Sequence, residues 1–318
     1  MHRYTRRDIL RMGAALAAAG GLGKAGASVM AAGIKNILDG QTKVVWLQGL
    51  ACDGCSISFL NSDEPGPLDV LTDILSLVYH PTLSAAQGEM ALELIEKATT
   101  AGNYIFVFEG AIPLRLPTAC LLGGKPLGDW LPPILQNAKY VVAAGTCAAF
   151  GGIPSAEGNP TGAVSLLEFI KHHHFATQHQ LINCPGCPAH PQSVLGTLAY
   201  LAGKGIPPLD PELHTPNMFF GQSVHDECPR FHHWQKHEFA SNFGEKGCLF
   251  KLGCLGPLTH TNCPQRQWNS GVNWCVRAGA PCIGCTGEQF AKTRDFPFYR
   301  NSESTFPITL EDPDSSDW

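Results

Sequence analysis

Cysteines are the side chains of this sequence whose number and spacing point most directly to chemistry: there are thirteen in 318 residues. Cys52 and Cys55 form a C-x-x-C turn, in which Gly54 allows a tight backbone. Cys147 and Cys187 each follow an apolar run further along the chain. Four thiols gathered at one place suit a metal centre, and their spacing alone leaves both an iron–sulfur cluster and zinc open.

The second half of the chain is denser in cysteine, with seven between residues 228 and 285. One set there is three cysteines preceded by a histidine, namely His225, Cys228, Cys248 and Cys254. The other is four cysteines, namely Cys263, Cys275, Cys282 and Cys285. Cys120 and Cys184 belong to no set. A disulfide framework is the alternative for an exported chain, but it fits poorly where cysteines follow parallel strands.

The elements that position the first four thiols are predicted from apolar runs. Strands are expected at residues 43–47, 104–108, 140–144 and 180–182. Helices are expected at residues 69–77, 85–99, 130–137, 163–171 and 193–202. This alternation predicts an α/β fold with a parallel sheet covered on both faces. Ligands bind beyond the carboxyl ends of such strands, where the first four thiols and Glu109 would meet. For Glu109, capping its loop is favoured over relaying protons.

Four segments are predicted from these changes of pattern. Residues 1–34 read as a signal peptide, 40–205 as the parallel-sheet domain, 206–310 as a cluster-binding domain, and 311–318 as an acidic tail. Regular periodicity fades after residue 207, where Gly, Pro, Asn and Trp become frequent. Metal–thiolate bonds can order such a region, because metal binding is coupled to folding.

The first segment is predicted to be an export signal that forms no part of the fold. Arg6 and Arg7 precede a weakly apolar run to residue 34, as in a twin-arginine (Tat) signal. Lys24 interrupts the run, and residues 25–27 have the small-x-small form of a cleavage site. An uncleaved amphipathic or tethering helix is the alternative. The C-terminal residues carry no apolar anchor, so we expect a periplasmic protein that is soluble or held to the membrane by another subunit.

Charged residues make up only 15% of the chain, against about 25% in an average soluble protein. So low a fraction predicts that much surface is buried against another subunit or bulky cofactors. The net charge is −5 and no basic stripe is present, which argues against a nucleic-acid partner.

Several stretches resemble the small subunits of nickel–iron hydrogenases. They are residues 46–56, 79–82, 109–113, 145–148, 184–188, 251–257, 262–264, 268–271 and 281–285. The resemblance covers nearly the whole chain and implies a flavodoxin-like domain followed by an irregular iron–sulfur domain. It also implies that the chain carries electrons for the reaction H₂ ⇌ 2H⁺ + 2e⁻. The nickel–iron centre would lie in a separate large subunit, so no catalytic residue is expected here.

The resemblance also assigns the ligands of three clusters. The proximal 4Fe–4S cluster would be held by Cys52, Cys55, Cys147 and Cys187. The distal 4Fe–4S cluster would be held by His225, Cys228, Cys248 and Cys254. The medial cluster would be held by Cys263, Cys282 and Cys285, and in many relatives it is a 3Fe–4S cluster. Here Cys275 replaces the usual proline and offers a fourth thiolate, which predicts a medial 4Fe–4S cluster of lower potential.

A second departure concerns the proximal site. Oxygen-tolerant relatives carry extra cysteines at the positions of Gly54 and near Gly152, and this chain carries neither. A modified proximal cluster is therefore not expected.

Two other functions fit parts of the sequence. One is the related cluster-bearing subunit of respiratory complex I, which typically has a tandem cysteine pair and no second cysteine-rich half. The other is a standalone ferredoxin-like carrier, which would have little need of a whole sheet domain. If the chain serves a hydrogenase, the external acceptor would be a cytochrome or a membrane electron carrier.

Overall fold

The computed structural model describes residues 5–38, 42–63, 66, 76–175 and 181–292. Its five principal strands form one parallel sheet: β1 (Lys43–Gln48), β2 (Ser76–Tyr79), β3 (Tyr104–Glu109), β4 (Tyr140–Ala144) and β5 (Leu181–Cys184). The order across the sheet is β2-β1-β3-β4-β5, which is the flavodoxin-like order. The predicted α/β class with a flavodoxin-like parallel sheet is confirmed.

Helices cover both faces of this sheet. They are α1 (Arg6–Ala19), α2 (Lys24–Leu38), α3 (Gly54–Leu60), α4 (Gly88–Ala101), α5 (Leu127–Asn137), α6 (Thr146–Phe150), α7 (Leu166–His172) and α8 (Pro191–Gly203). Side chains alternate along each strand, so β1 sends Trp46 into one apolar core and Leu47 into the other. The double burial explains why these strands are apolar throughout.

Two predicted boundaries were wrong for local reasons. The helix expected at 69–77 ends in residues that belong to β2, while residues 69–75 lie outside the described part. β2 pairs with β1 alone and its first three residues are only half-buried, so it lacks a long apolar run. The helix expected from residue 163 begins at Leu166, because Ser165 and Glu168 form a capping box there. Ala163–Val164 instead pairs with Ile112–Pro113.

The N-terminal segment, predicted to be an export signal outside the fold, packs on the sheet domain in the full chain from residue 5 onward. Helices α1 and α2 pack against each other, and α2 packs against α8. Leu16, Met30 and Ile34 are fully buried in the core that α8 shares. Helices α2 and α8 cross closely, since a Cβ on Gly33 would lie 1.7 Å from the Ala199 carbonyl oxygen. Among the described helices, none is long and apolar enough to cross a membrane.

Beyond α8 the described chain has short elements and long connections, as predicted. It contains α9 (Asn217–Phe220), α10 (Phe231–Gln235) and α11 (Cys263–Arg266), with 3₁₀ turns at Phe250–Leu252 and Gly256–Leu258. Its apolar core is small, and Cys282 is itself one of the six buried members. A core of this size leaves the thiols and what they bind to supply much of the order.

Candidate iron–sulfur sites

The first four thiols meet at the carboxyl edge of the sheet. Cys52 and Cys55 follow β1 and open α3, Cys147 lies in α6 directly after β4, and Cys187 comes three residues after β5. Each of the four interacts electrostatically with others of the set. Burial, and next the Cys187 thiol, raise the pKa of Cys147 to about 12. The thiolate form is therefore costly in the absence of metal, and bound iron would stabilise it, because a ligating thiol is deprotonated.

Glycines leave open space beside these thiols. A Cβ on Gly145 would lie 2.4 Å from Cys55 Sγ, and one on Gly152 would lie 2.9 Å from Cys147 Sγ. Both glycines have positive φ, +89° and +51°, which suits residues without a side chain. The backbone therefore forms a cradle that a methyl group would fill, and this cradle fits a cluster held by four thiolates.

Glu109 fastens the C-x-x-C turn to the sheet. It is buried at the end of β3, and its Oε1 accepts the Cys55 N–H at 3.0 Å. Its Oε2 accepts the Ser56 hydroxyl at 2.5 Å, and Trp46 Nε1 and Gln48 Nε2 at 3.3 Å each. Four donors satisfy a buried carboxylate. This geometry favours the structural role for Glu109.

The histidine set lines a single pocket in the second half. His225, Cys228, Cys248 and Cys254 all face it, together with Val224, Arg230 and Phe231. Burial lowers the pKa of His225, which keeps the imidazole neutral as a metal ligand requires. The rings of Phe231 and Trp234 meet the His225 ring edge-on at centroid distances of 5.0 Å each. Burial raises the pKa of Cys248 to about 11.

The third set lines a larger cavity of about 360 Å³. Its four thiols all face this cavity, Cys275 among them: Cys263, Cys275, Cys282 and Cys285. Cys275 interacts with Cys263, and Cys285 with both, so the fourth thiol belongs to the same site. No trio of described His, Cys, Asp or Glu side chains converges on a point that suits one metal ion. Thiols set around a cavity instead suit a cluster, which is held at its corners.

The three sets lie in series, with the third in the middle. Cys187 and Cys285 line the same cavity, and Thr146 Oγ1, beside Cys147, donates to the Cys285 carbonyl at 2.5 Å. On the other side, the Cys282 N–H donates to Cys254 Sγ at 3.4 Å. The candidate ligands of neighbouring sites are thus adjacent.

The remaining cysteines lie outside the three sets, and all thirteen are free thiols. Cys184 is fully buried, and its Sγ donates to Thr197 Oγ1 at 3.4 Å. It behaves as the small buried residue that its position predicts. Cys120 is half-buried at the edge of the other core.

One charged neighbour of the third set was missed from the sequence. Arg266, the last residue of α11, lies one turn after Cys263 and interacts with its thiol electrostatically. The signal for it was faint: an arginine three residues after a cysteine, in a region with few regular elements.

Comparison with known proteins identifies the family. The family model for the C-terminal part of NiFe/NiFeSe hydrogenase small subunits matches residues 220–299, and the model for the 20 Kd subunit of NADH ubiquinone oxidoreductase matches residues 52–201. The periplasmic [NiFe] hydrogenase small subunit 1 of Nitratidesulfovibrio vulgaris is 39% identical over 307 residues, 93% of each chain. The chain belongs to the nickel–iron hydrogenase small-subunit family.

Other relatives of this hydrogenase small subunit agree. The periplasmic [NiFeSe] hydrogenase small subunit of Desulfomicrobium baculatum is 39% identical, with 80% of this chain and 86% of the relative covered. A crystal structure of the reduced, active nickel–iron–selenium hydrogenase from that organism superposes with a TM-score of 0.77 at 37% identity, covering 82% of this chain and 99% of that one. The chain is thus one subunit of an oxidoreductase that acts on hydrogen, and its partner is a large subunit.

Proposed function

We propose that this chain passes electrons between a nickel–iron site in the large subunit and an external acceptor through three iron–sulfur clusters, in the reaction H₂ ⇌ 2H⁺ + 2e⁻. The observation that carries the proposal is the serial arrangement of three thiol sets. Cys187 of the first lines the same cavity as Cys285 of the third, and the Cys282 N–H of the third donates to Cys254 Sγ of the second. A chain of adjacent redox sites is what stepwise electron transfer requires.

The ligand assignment follows the three sets. Cys52, Cys55, Cys147 and Cys187 hold the proximal cluster, and His225, Cys228, Cys248 and Cys254 hold the distal cluster. Cys263, Cys275, Cys282 and Cys285 hold the medial cluster. Each cluster, when bound, accepts and releases one electron at a time. The chain's own residues supply the thiolates, exclude water, and donate hydrogen bonds to sulfur, such as the Ala189 N–H to Cys55 Sγ at 3.4 Å.

The match to the complex I family spans only residues 52–201. The proximal ligands lie within that stretch, whereas the other two sets lie beyond it. A cluster-bearing protein of complex I type therefore explains the first half of the chain alone. The matched hydrogenase family accounts for both halves.

The proposal is tested by a redox titration of the purified complex followed by electron paramagnetic resonance. Three separable clusters bound to this chain, each with four irons, are expected. Two clusters or fewer in fully iron-loaded protein would contradict the three-site proposal.

For the distal site, His225→Cys is expected to lower the reduction potential of that cluster alone, because a thiolate adds negative charge where the imidazole is neutral. The potential of each cluster is measured in the same titration. His237→Cys is the control, since His237 is exposed and lies outside the pocket. Unchanged distal behaviour and unchanged turnover would remove His225 from the ligand set.

We further propose export by the Tat route to the periplasm, which the names of two relatives support. Arg6 and Arg7 are exposed at the start of α1 and open to a receptor. Replacing both with lysine is expected to abolish export nearly completely, because receptors of this route read the arginine pair as an address. Fractionation and immunoblotting against this chain provide the measurement, with Arg11→Lys as the control. Undiminished periplasmic protein in the double variant would exclude the route.

A further inference from the structure

The positively charged side chain of Arg266 is largely buried beside the third thiol set. Cys263 lies one turn before Arg266 in α11 and interacts with its charge, and Arg266 Nη1 donates to Ser193 Oγ at 2.6 Å. The guanidinium also lies over the Phe219 ring, with Cζ 5.9 Å from the ring centroid. Although the residue keeps some exposed surface, its Nε is buried and has no hydrogen-bond partner. An arginine side chain stays protonated in proteins, so Arg266 carries a positive charge at neutral pH.

No carboxylate balances this charge in the described part of the chain. Arg266 belongs neither to the Lys97–Glu93 ion pair nor to the His233–Glu238 ion pair. A buried cation without an anion is costly, and an orphaned donor adds to that cost. Burial, and next Arg266 itself, lower the pKa of His190 to about 3, so this neighbouring ring is neutral and offers Arg266 no counter-charge.

The anion that Arg266 lacks is the one that the third thiol set would hold. Four thiolates around iron make a centre of net negative charge, and Cys263 is the corner with which Arg266 interacts. We propose that Arg266 is a positioning residue of the medial site: its charge raises the reduction potential of the medial cluster. The inference rests on the proposed three-cluster function.

The sign of the effect follows from electrostatics. Reduction adds one electron to the cluster, and a cation nearby stabilises the reduced form more than the oxidised form. Cys275 acts in the opposite direction, because a fourth thiolate adds negative charge to the same site. Arg266 therefore offsets part of the fall in reduction potential that Cys275 causes. The potential of the medial cluster then stays close to the potentials of the proximal and distal clusters.

The test is a redox titration by electron paramagnetic resonance of the whole complex carrying Arg266→Met or Arg266→Lys. Methionine removes the charge and keeps an unbranched apolar stem, whereas lysine keeps the charge. Arg277→Met is the matched control, because Arg277 is exposed and bonds only Gln267 Oε1 among the described contacts, at 2.7 Å. In Arg266→Met, we expect the ratio of reduced to oxidised medial cluster at fixed potential to fall about tenfold, or about 59 mV for one electron. In the same variant, the reduced-to-oxidised ratios of the proximal and distal clusters should change by less than about threefold, roughly half of that shift on the logarithmic scale. The medial ratio in Arg266→Lys and in Arg277→Met should also change by less than about threefold.

A loaded Arg266→Met complex whose medial potential matches the wild type would overturn the inference, as would an equal shift in Arg266→Met and Arg266→Lys. If Arg266→Met fails to load medial iron, the iron content and medial potential of Arg266→Lys distinguish a charge effect from a packing effect. Loading with a wild-type potential supports a charge effect, and loss of iron there too shows that Arg266 acts only through packing. The wild-type titration tests the proposed function separately. A missing medial cluster in the wild type refutes the three-cluster proposal, whereas a medial cluster whose potential does not respond to Arg266→Met refutes only this inference.

Discussion

Replacing Gly145 with alanine is expected to empty the proximal site and to lower hydrogen-dependent electron transfer about 100-fold, the upper end of what disturbing a metal site costs. The alanine Cβ would lie 2.4 Å from Cys55 Sγ, a distance that real Cβ contacts do not show. Cys55 cannot simply retreat, because Glu109 holds its amide and the Ala189 N–H donates to its sulfur. Relieving the clash would therefore break these bonds or displace the backbone at residue 145, and either change would disturb the four-thiol arrangement.

Gly158→Ala provides the matched control for Gly145→Ala. Gly158 has the same φ of +89°, but it is exposed and a Cβ there would meet nothing within 4 Å. Both alanines would be placed at a φ of +89°, and only the one at residue 145 would meet the Cys55 sulfur. Iron content and the proximal signal in electron paramagnetic resonance measure the effect of this clash. If Gly145→Ala loads proximal iron as fully as Gly158→Ala does, the cradle does not hold a cluster.

Replacing Cys275 with alanine is expected to convert the medial centre from a four-iron to a three-iron cluster. Alanine offers no ligand, and the other three thiols, Cys263, Cys282 and Cys285, still face the cavity. A 3Fe–4S signal should then appear on mild oxidation, and the medial potential should rise because one thiolate is gone. Electron paramagnetic resonance with iron analysis measures both effects.

Cys120→Ala is the control for Cys275→Ala, since it removes a half-buried thiol that belongs to none of the three sets. It should leave the spectrum unchanged. An intense 3Fe–4S signal from mildly oxidised, undamaged wild-type protein would show that Cys275 is not a ligand.

The sheet and its thiols could be predicted because both depend on short-range patterns. Apolar runs such as residues 104–108 and 140–144 mark buried parallel strands, and residues just after those strands must meet at one edge. Cys147 and Cys187 were grouped with the C-x-x-C turn on that rule, and the structure brings them together. In the second half, where strands are lacking, spacing along the sequence groups the remaining candidate ligands.

Features that depend on long-range packing could not be predicted from the sequence. β2 is a half-exposed edge strand whose conformation is fixed by its pairing with β1. Because its own residues form no long apolar run, the sequence pattern wrongly predicts a helix at residues 76 and 77. The fit of Gly33 against Ala199 joins positions far apart in the chain, and nothing local in an Ala/Gly-rich run indicates it. The clearance that Gly145 gives Cys55, and the interaction of Arg266 with Cys263, depend in the same way on the folded arrangement.

The most direct test of the proposed function is hydrogen-dependent dye reduction by the complex isolated anaerobically, in its native host, through a tag on this chain. Dye reduction that requires hydrogen, together with a copurifying large subunit that contains nickel, is the predicted result. An intact, iron-loaded complex that ignores hydrogen and contains no nickel would contradict the account and assign this chain to another electron-transfer complex.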